Sequence, residues 1–551
     1  MDSFSLSHLP IVKEYANRMG LVETLDSALV CGMQISPGKV LLGLVMNVLC
    51  GRSPLYRVEE FFRMRDVEVL LGEGIRADQL GDDTLGRVLD RVHAYGTWKI
   101  FSEVCIQAFQ NFGVNCEVVH HDTTSISVWG EYRPSEKDPF HIRHGFSKDK
   151  RPDLKQFIIS LLCAEGNLPC HAAILDGNAA DKKTNRTLIG DLPRIMARHG
   201  VSIKDFIYVA DSALATQENF TLMHDSIRFI TRLPENFGAC GQLISKALAS
   251  DSWQEAGRLN HRVVSGKDIC ASYRFQEQDV TLYGRTYRAV VVHSDAHDRR
   301  RQKRIEKAVR NDRQALMARL KEIEKKEFFC LPDAEAAVQS LQDSFLHHIT
   351  FTFGERPIYG RGRPSRDMPR QIRAVRYRLS CEVRENTDAV QQLREEAGCF
   401  VLLTNVPKEQ KSGIDILTLY KEQDGIEKNF GFLKEPLFVN DVFLKKPRRI
   451  EALGLVMVIA LLVWRLMERT MRMKIKKERT ILPGWNNCST AKPTSFMMAT
   501  KFSPVMGGVK NGRRFLFSPL DEVQLAYLHA LNVQPACFTQ APPQNRGIRS
   551  G

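Results

Sequence analysis

Residues 116–130, CEVVHHDTTSISVWG, form the stretch of sequence that decides the fold. Residues of one parity from Val118 to Val128 predict a β-strand with one face against a core. Asp122 lies on that face. An aspartate in a half-buried strand costs free energy unless it is paired or bound to a metal ion. Asp122 is therefore the first candidate functional residue.

The segments that follow this strand predict a mixed α/β fold. Two apolar runs, KQFIISLLCA and LPCHAAILDG, flank Glu165-Gly166-Asn167 and indicate a β-hairpin. DKKTNRTLIGDLPRIMARHG then predicts a helix, DFIYVADSA a strand, residues 216–224 a helix and residues 226–233 a strand. The order β-β-β-α-β-α-β gives a mixed sheet with helices on its faces, and it is also the order of the ribonuclease-H-like fold.

Changes in composition divide the chain into five segments. Residues 1–112 look helical and form either a DNA-binding or dimerisation unit or a helical cap on the next segment. We expect the catalytic core in two parts, residues 113–236 and 396–480, separated by a large insertion at 237–395. Residues 481–551 form a tail rich in turn residues, and we expect partial disorder there.

Two further carboxylates are candidates beside Asp122. Asp211 ends the strand FIYVA, at the rim of a sheet where α/β proteins place their sites. A carboxylate of this kind, taken alone, is more simply explained as a turn, a cap or a solvated helix residue. In ILTLYKEQDGIEKNFGFLKE, the spacing puts four residues on one face of a predicted helix: Tyr420, Gln423, Glu427 and Lys434.

Three carboxylates have a shared chemical use. Two divalent metal ions about 3.5–4 Å apart activate a nucleophile and stabilise the leaving oxygen in phosphodiester displacement. Mg²⁺ prefers oxygen ligands and keeps several waters, so three carboxylates with phosphate oxygens suit it. His120 and His121 are interpreted as strand residues rather than as ligands.

The chain is basic, because its 551 residues contain Lys+Arg 78 against Asp+Glu 64, a net charge of +14. The excess indicates an anionic partner such as nucleic acid or a membrane surface. The longest apolar run, Ala452–Trp464, is shorter than the ~20 residues of a spanning helix, so we expect a buried helix and no membrane partner. The N-terminus lacks the pattern of an export signal and the 13 cysteines contain no C-x-x-C pair, which favours a cytoplasmic protein with reduced thiols.

Several motifs of this chain resemble those of bacterial insertion-sequence transposases of the DDE class. The nearest resemblance is to the superfamily with a Y-x2-R-x3-E-x6-K signature and a large insertion in the catalytic core. Tyr420, Glu427 and Lys434 match that spacing, and Gln423 stands where the family has Arg. Four other segments resemble family motifs in the same order: HHDTTSISVWGEY, HGFSKDKRPDLKQ, LDGNAADKKTN and YVADSALAT.

The resemblance implies roles for individual residues. It implies that Asp122, Asp211 and Glu427 form a catalytic triad that binds Mg²⁺, with Mn²⁺ as a substitute. Tyr420 and Lys434 are implied to contact the phosphates of the transposon ends. Gln423 can hydrogen-bond a phosphate but has no charge, so the bidentate cationic contact of Arg is lost. The implied partners are double-stranded DNA, as ends and as target, and a second copy of the chain in a synaptic complex, which places the protein at the nucleoid.

Basic residues close to the first aspartate are expected to hold DNA near the metal ions. Lys148, Arg151 and Lys155 lie in this position. Neutralisation of phosphates by Lys and Arg provides most of the affinity of proteins for DNA.

Two other basic runs occur at residues 299–304 and 361–373. The first lies in a charged helical stretch that also contains many acids, so a solvated helix explains it equally well. Arg361-Gly362-Arg363-Pro364 in the second resembles the core of an AT-hook, in which Arg enters a narrow minor groove.

The sequence therefore predicts a DNA transposase that cuts at the ends of an insertion sequence and joins the 3′-hydroxyl ends to target DNA. One alternative is a metal-dependent nuclease of the same fold without strand transfer. Another is a catalytically decayed DNA-binding protein, and Gln423 is the feature that leans toward it. A basic scaffold without a DNA role is a third.

Overall fold

The computed structural model divides the chain into two compact units, Met1–Thr231 with Leu419–Gly551, and Arg232–Thr418. It describes residues 2–51, 53–223, 226–250, 252–264, 267–339, 344–361, 370–434, 444, 446–486 and 488–540. Residues 362–369 lie outside the described residues. They include Gly362-Arg363-Pro364 of the AT-hook-like segment and also Arg366. His224 and the terminal APPQNRGIRSG lie outside the described residues as well.

The first unit begins with helices, as the sequence predicts for residues 1–112. Pro37 starts one of them, and the Ser36 side chain caps it by accepting a hydrogen bond from Lys39 N at 3.4 Å. The first helix of the chain, Leu9–Met19, ends at Gly20, whose φ of 67° is the left-handed conformation that closes many helices. The helices are α1 (Leu9–Met19), α2 (Leu21–Ala28), α3 (Pro37–Cys50), α4 (Val58–Arg63), α5 (Val67–Leu71), α6 (Asp82–Tyr95) and α7 (Thr97–Phe112), after strand β1 (Asp2–Ser5).

A mixed sheet follows these helices. Its strands and flanking helices are β2 (Val118–Val128), β3 (Lys155–Ala164), β4 (Leu168–Leu175), α8 (Asp181–Arg198), β5 (Ile207–Ala210), α9 (Gln217–Met223) and β6 (Arg228–Arg232). The spatial order is β4-β3-β2-β5-β6. β3 is antiparallel to β2 and β4, and β5 is parallel to β2 and β6. The predicted mixed α/β sheet flanked by helices is thus confirmed.

The second unit contains two groups of strands and a long helix. Strands β13-β9-β8-β7 lie side by side in this order, and β10-β12-β11 form a separate three-stranded sheet. The predicted charged helix is present as α11. The elements are α10 (Gly238–Ser250), β7 (Gln254–Val264), β8 (Lys267–Leu282), β9 (Arg285–Ser294), α11 (Asp295–Glu324), β10 (Glu327–Phe328), α12 (Leu331–Gln339), β11 (His347–Tyr359), β12 (Ile372–Glu385), α13 (Thr387–Glu396) and β13 (Cys399–Thr404).

The segment that contains Glu427 differs from the sequence prediction. The spacing predicts one helix from Asp415 to about residue 434, whereas the structure has α14 (Gly413–Lys421) and α15 (Asp424–Leu433). Between them the backbone makes tighter i→i−3 hydrogen bonds, from Gln423 N to Tyr420 O at 3.3 Å and from Gly425 N to Glu422 O at 2.9 Å. The prediction of one straight helical face is therefore wrong.

Helix α16 (Pro447–Glu478) forms the centre of the first unit. It is long and apolar enough to cross a membrane by length and composition, but 89% of its apolar window is buried inside the protein. It packs against α1, α3, α6 and α7. At its start Arg449 pairs with Asp90 at 2.7 Å and Glu451 contacts His93 at 2.9 Å. The sequence prediction of a buried helix here is confirmed.

Much of the tail, where turn residues predict partial disorder, forms regular elements. These are β14 (Leu482–Pro483), β15 (Ser489–Thr490), α17 (Ser495–Phe502), β16 (Met506–Lys510), β17 (Arg513–Leu516) and α18 (Glu522–Leu531). β16 pairs with the N-terminal strand β1, with Asp2 opposite Val509. The Tyr15 hydroxyl donates to Leu531 O at 3.0 Å. Contacts between the two ends of the chain hold the tail, and tail composition alone does not reveal them.

Candidate active site

A cavity of about 300 Å³ lies at the edge of the first unit's sheet. It brings together residues from strands β2 and β5, the loop before β3, and the α14–α15 segment. Its lining is Asp122, Lys148, Asp211, Tyr420, Lys421, Gln423, Asp424 and Glu427. The three carboxylates that the sequence predicts to act together therefore line one cavity.

Asp122 and Asp211 are adjacent because their strands are parallel neighbours. In that register His121 lies opposite Ala210, and the residue that follows each of them is one of the two aspartates. Asp122 lies within β2, and Asp211 comes directly after β5. The Asp122 carboxylate accepts a hydrogen bond from Thr123 N at 2.7 Å. Asp211 accepts one from Ala213 N at 3.1 Å.

Both strand carboxylates are held where ionisation is unfavourable. Burial is the largest cause that raises the pKa of Asp122 to about 6, and the neighbouring Asp211 and Asp181 raise it further while Lys148 lowers it. Burial likewise raises the pKa of Asp211. The neighbouring side chains therefore compensate only part of the negative charge of Asp122 and Asp211.

Glu427 reaches the cavity because α15 packs closely on the β3–β4 turn. A Cβ added at Gly425 would lie 2.0 Å from Asn167 Oδ1, so a larger residue at this position would require the Asn167 side chain or the helix to move. Asn429 Nδ2 donates to Asn167 O at 2.9 Å, and Arg465 Nε donates to Asn429 Oδ1 at 2.7 Å. These contacts are made by the buried face of α15 and fix the position of the helix that carries Glu427.

Of the three basic residues predicted to hold DNA near the first aspartate, Lys148 is the one that lines the cavity. Its Nζ donates to Thr123 O at 2.7 Å and lies 3.9 Å from Asp122 Oδ1. It also lies 3.8 Å from Asp181 Oδ2. The ammonium thus occupies the acidic part of the site.

The other residues of the predicted signature divide between the cavity and its surroundings. Tyr420 and Gln423 line the cavity, and Gln423 Nε2 donates to His121 O at 3.4 Å. Lys434 lies outside the lining, where its Nζ pairs with Asp149 Oδ1 at 2.7 Å. Lys421, which a straight helix would place on another face, lines the cavity because α14 ends there.

Arg151 and Lys155 are not among the lining residues. Arg151 pairs with Asp153 at 2.6 Å and lies 5.1 Å from the ring centroid of Trp129. Lys155 Nζ donates to Tyr132 O at 3.1 Å. Both side chains are engaged with the loop that precedes β3.

His121 is a structural residue, as the sequence interpretation has it. Its ring contacts Asn185 Oδ1 at 3.1 Å and Ser160 Oγ at 2.9 Å. Burial lowers its pKa to about 4, so the ring is neutral at pH 7. His120 is buried in the same strand, and its Nε2 lies 3.8 Å from Glu422 Oε2.

Two acidic residues of the site were missed by sequence reasoning. Asp181 has the appearance of a helix cap, which is the commonest role of Asp at a helix start. Asp424 follows Gln423 in a segment where the spacing predicts a continuous helix. The LDGNAADKKTN motif is the one sequence signal that included Asp181.

The donors suit a hard divalent cation in kind, since those of the lining carboxylates are all oxygens. Within the described residues, no three His, Cys, Asp or Glu side chains are already grouped closely enough to hold one metal ion. The Lys148 ammonium stands beside Asp122, in the acidic part of the site. Cation binding at this site therefore requires side chains to rearrange.

Comparison with protein families matches residues 1–106 to a domain of unknown function, DUF4277. The match covers α1 to α6 and part of α7, and it contains none of the residues that line the cavity. No curated protein matches the chain.

Proposed function

We propose that the chain is a DNA transposase of the DDE class, with a ribonuclease-H-like catalytic domain. The observation that supports it most is the convergence of Asp122, Asp211 and Glu427 on one cavity. These residues are 211 − 122 = 89 and 427 − 211 = 216 positions apart. The sheet order β4-β3-β2-β5-β6, with the first aspartate on the central strand, also suits this fold.

The carboxylates would hold Mg²⁺, or Mn²⁺ as a substitute. When bound, the ions supply activation of a water or a 3′-hydroxyl and stabilisation of the leaving oxygen. Asp122 is ionised for this role above its raised pKa, about 6. Lys148, once displaced from the carboxylates, is close enough to neutralise a DNA phosphate at the same place.

The walls of the cavity suit recognition of a DNA strand. Tyr420 provides an aromatic hydroxyl and Lys421 a positive charge at the lining. Gln423 provides an amide tied to strand β2, without the charge of the family Arg. Double-stranded DNA is the partner that the net charge of +14 also suits. A homodimer in the synaptic complex, and association with the nucleoid, follow from the need to join two ends.

The experiment is Mg²⁺-dependent cleavage of DNA fragments that flank the coding sequence on its two sides. Glu427→Ala should abolish cleavage and leave binding of these fragments intact. Glu422→Ala is the matched control, because Glu422 lies in the same segment but does not line the cavity. Retained Mg²⁺-dependent nicking by Glu427→Ala would overturn the assignment of the triad.

The same assay separates the two alternatives. A nuclease would release cut ends without joining them to a target plasmid. A decayed DNA-binding protein would bind the fragments without cutting them, and the substitution Gln423→Arg would then be expected to increase affinity for the fragments by restoring one phosphate contact.

A further inference from the structure

Asp181 is a fourth carboxylate beside the cavity, and its side chain does not serve its own helix. It is the first residue of α8, whose N-cap is Ala180, and no side chain caps that helix end. Asp181 Oδ1 instead accepts a hydrogen bond from Thr123 Oγ1 at 2.7 Å. Thr123 follows Asp122 in strand β2, so the Asp181 side chain is directed to the site.

A cation already lies between this carboxylate and the first aspartate. The Lys148 Nζ is 3.8 Å from Asp181 Oδ2 and 3.9 Å from Asp122 Oδ1. It also donates to Thr123 Oγ1 at 3.1 Å. Asp122 in β2 and Asp181 in α8 thus share the positive charge of Lys148. This arrangement is independent of the hydrogen bond between Thr123 and Asp181.

Close packing of two loops fixes the positions of Lys148 and Asp181. A Cβ added at Gly145 would lie 2.1 Å from Gly177 O, so the loops before these two residues touch through their backbones. Gln156 Nε2 donates to Gly177 O at 2.7 Å and to Phe146 O at 3.2 Å. One buried side chain therefore ties both loops together.

The charge of Asp181 also acts on the two strand carboxylates. Burial is the largest cause of the raised pKa of Asp122 and of Asp211, and the Asp181 carboxylate raises both further. The negative charge of Asp181 therefore acts on both Asp122 and Asp211.

We infer that Asp181 is a positioning residue of the cation site, which holds the Thr123 hydroxyl and the Lys148 ammonium beside Asp122 and adds charge that attracts a divalent cation. This inference rests on the proposed function. Groups that orient metal ligands typically change metal affinity 10- to 100-fold when they are removed.

The test is Mn²⁺ binding to the DNA-free protein, followed by electron paramagnetic resonance. Asp181→Asn keeps an oxygen that accepts from Thr123 but removes the charge, and we expect its dissociation constant for Mn²⁺ to rise about tenfold. Asp191→Asn is the matched control, because Asp191 lies in the same helix, paired with Arg194 at 2.8 Å and exposed. We expect it to bind Mn²⁺ like the wild type.

A second variant, Thr123→Val, removes the hydroxyl that links Asp181 to the strand. We expect it to weaken Mn²⁺ binding about fivefold, the effect of one lost hydrogen bond. It decides the matter if Asp181→Asn does not fold, since an unchanged affinity in Thr123→Val would overturn the inference.

The outcomes separate the two proposals. Wild-type affinity in Asp181→Asn, together with weakened affinity in Asp122→Asn, would overturn the role of Asp181 and leave the proposed function standing. Absence of Mn²⁺ binding to the wild-type protein would overturn both.

Discussion

Partly buried carboxylates in the two units of this chain are in opposite electrostatic states. In the first unit, burial raises the pKa of Asp122 and of Asp211. In the second unit, burial is the largest single influence on Glu277 and by itself would raise its pKa. The hydrogen bond and charge of Arg288, with the charge of Lys408 and the hydrogen bond from Gly413 N, together outweigh burial and lower the pKa. Arg288 Nε lies 2.9 Å from Glu277 Oε2, and both side chains are largely buried.

The difference teaches how to separate a structural carboxylate from a functional one. Glu277 also accepts a hydrogen bond from Gly413 N at 3.1 Å, so its charge is satisfied within its own unit. Asp122 has Lys148 at 3.9 Å and two other carboxylates that oppose its ionisation. A buried acid that its own chain leaves partly uncompensated is suited to a cation from solution.

The largest expected effect tests the functional side of the comparison. Asp211→Asn replaces one carboxylate of the proposed cation site by an amide of the same size. We expect DNA cleavage in Mg²⁺ to fall at least about ten-thousandfold, or ~5 kcal/mol of transition-state stabilisation. Single-turnover cleavage measures it, and a loss of less than tenfold would remove Asp211 from the triad.

The structural side of the comparison predicts a different kind of loss. Glu277→Gln leaves Arg288 buried without its counter-charge, and we expect the free energy of unfolding to fall by about 3 to 5 kcal/mol. Cleavage per folded molecule should stay close to that of the wild type. Denaturant unfolding with a parallel activity assay measures both, and unchanged stability would show that the pair is not structural.

The pH dependence of stability sharpens the comparison further. The pKa of Asp122 is about 6 in the folded protein against an ordinary value of 3.8, so the folded state binds more protons between these values. Ionising Asp122 therefore destabilises the metal-free protein as pH rises from about 4 to about 6. Asp122→Asn should gain about 2 to 3 kcal/mol relative to the wild type over that interval.

Unfolding in denaturant with a chelator, measured at pH 4 and at pH 7, gives this relative change. Glu277→Gln should show no such gain with rising pH, because the pKa of Glu277 is lowered rather than raised. A relative stability of Asp122→Asn that is independent of pH would contradict the raised pKa.

The smallest effect concerns a carboxylate that is paired at the surface. Lys434 Nζ forms an ion pair with Asp149 Oδ1 at 2.7 Å, and both side chains are partly exposed. Asp149→Asn should tighten binding of a short DNA duplex about two- to fivefold, since exposed pairs contribute up to ~1 kcal/mol. Fluorescence anisotropy at fixed salt measures it. The control Asp191→Asn should bind the duplex like the wild type. Equal affinity in the two variants would show that Lys434 does not contact DNA.

The sheet could be predicted from sequence because its signals are local. The one-parity pattern from Val118 to Val128 and the turn at Gly166 mark the central strand and the hairpin without knowledge of the rest of the chain. The break after Lys421 could not, because a few i→i−3 hydrogen bonds leave no mark on the apolar spacing. The pairing of β1 with β16 depends on residues about five hundred positions apart.

The candidate site divides in the same way. Asp122, Asp211 and Glu427 were reached through motifs, and the structure places all three at one cavity. Asp181 is not identified as a site residue by its sequence position, because an aspartate at the start of a helix is ordinarily a cap. Its contact with Thr123 depends on the packing of two loops that are far apart in sequence. The spacing of a straight helix places Lys421 on another face, so the sequence alone does not reveal it as a lining residue.

The central claim is that Asp122, Asp211 and Glu427 hold divalent cations from solution. The most direct measurement is anomalous X-ray scattering at the manganese absorption edge from crystals soaked in Mn²⁺. We predict an anomalous peak in the cavity within bonding distance of Asp122 and Asp211, with the Lys148 ammonium moved away from Asp122. A cavity without an anomalous peak, with Lys148 still beside Asp122, would contradict the claim.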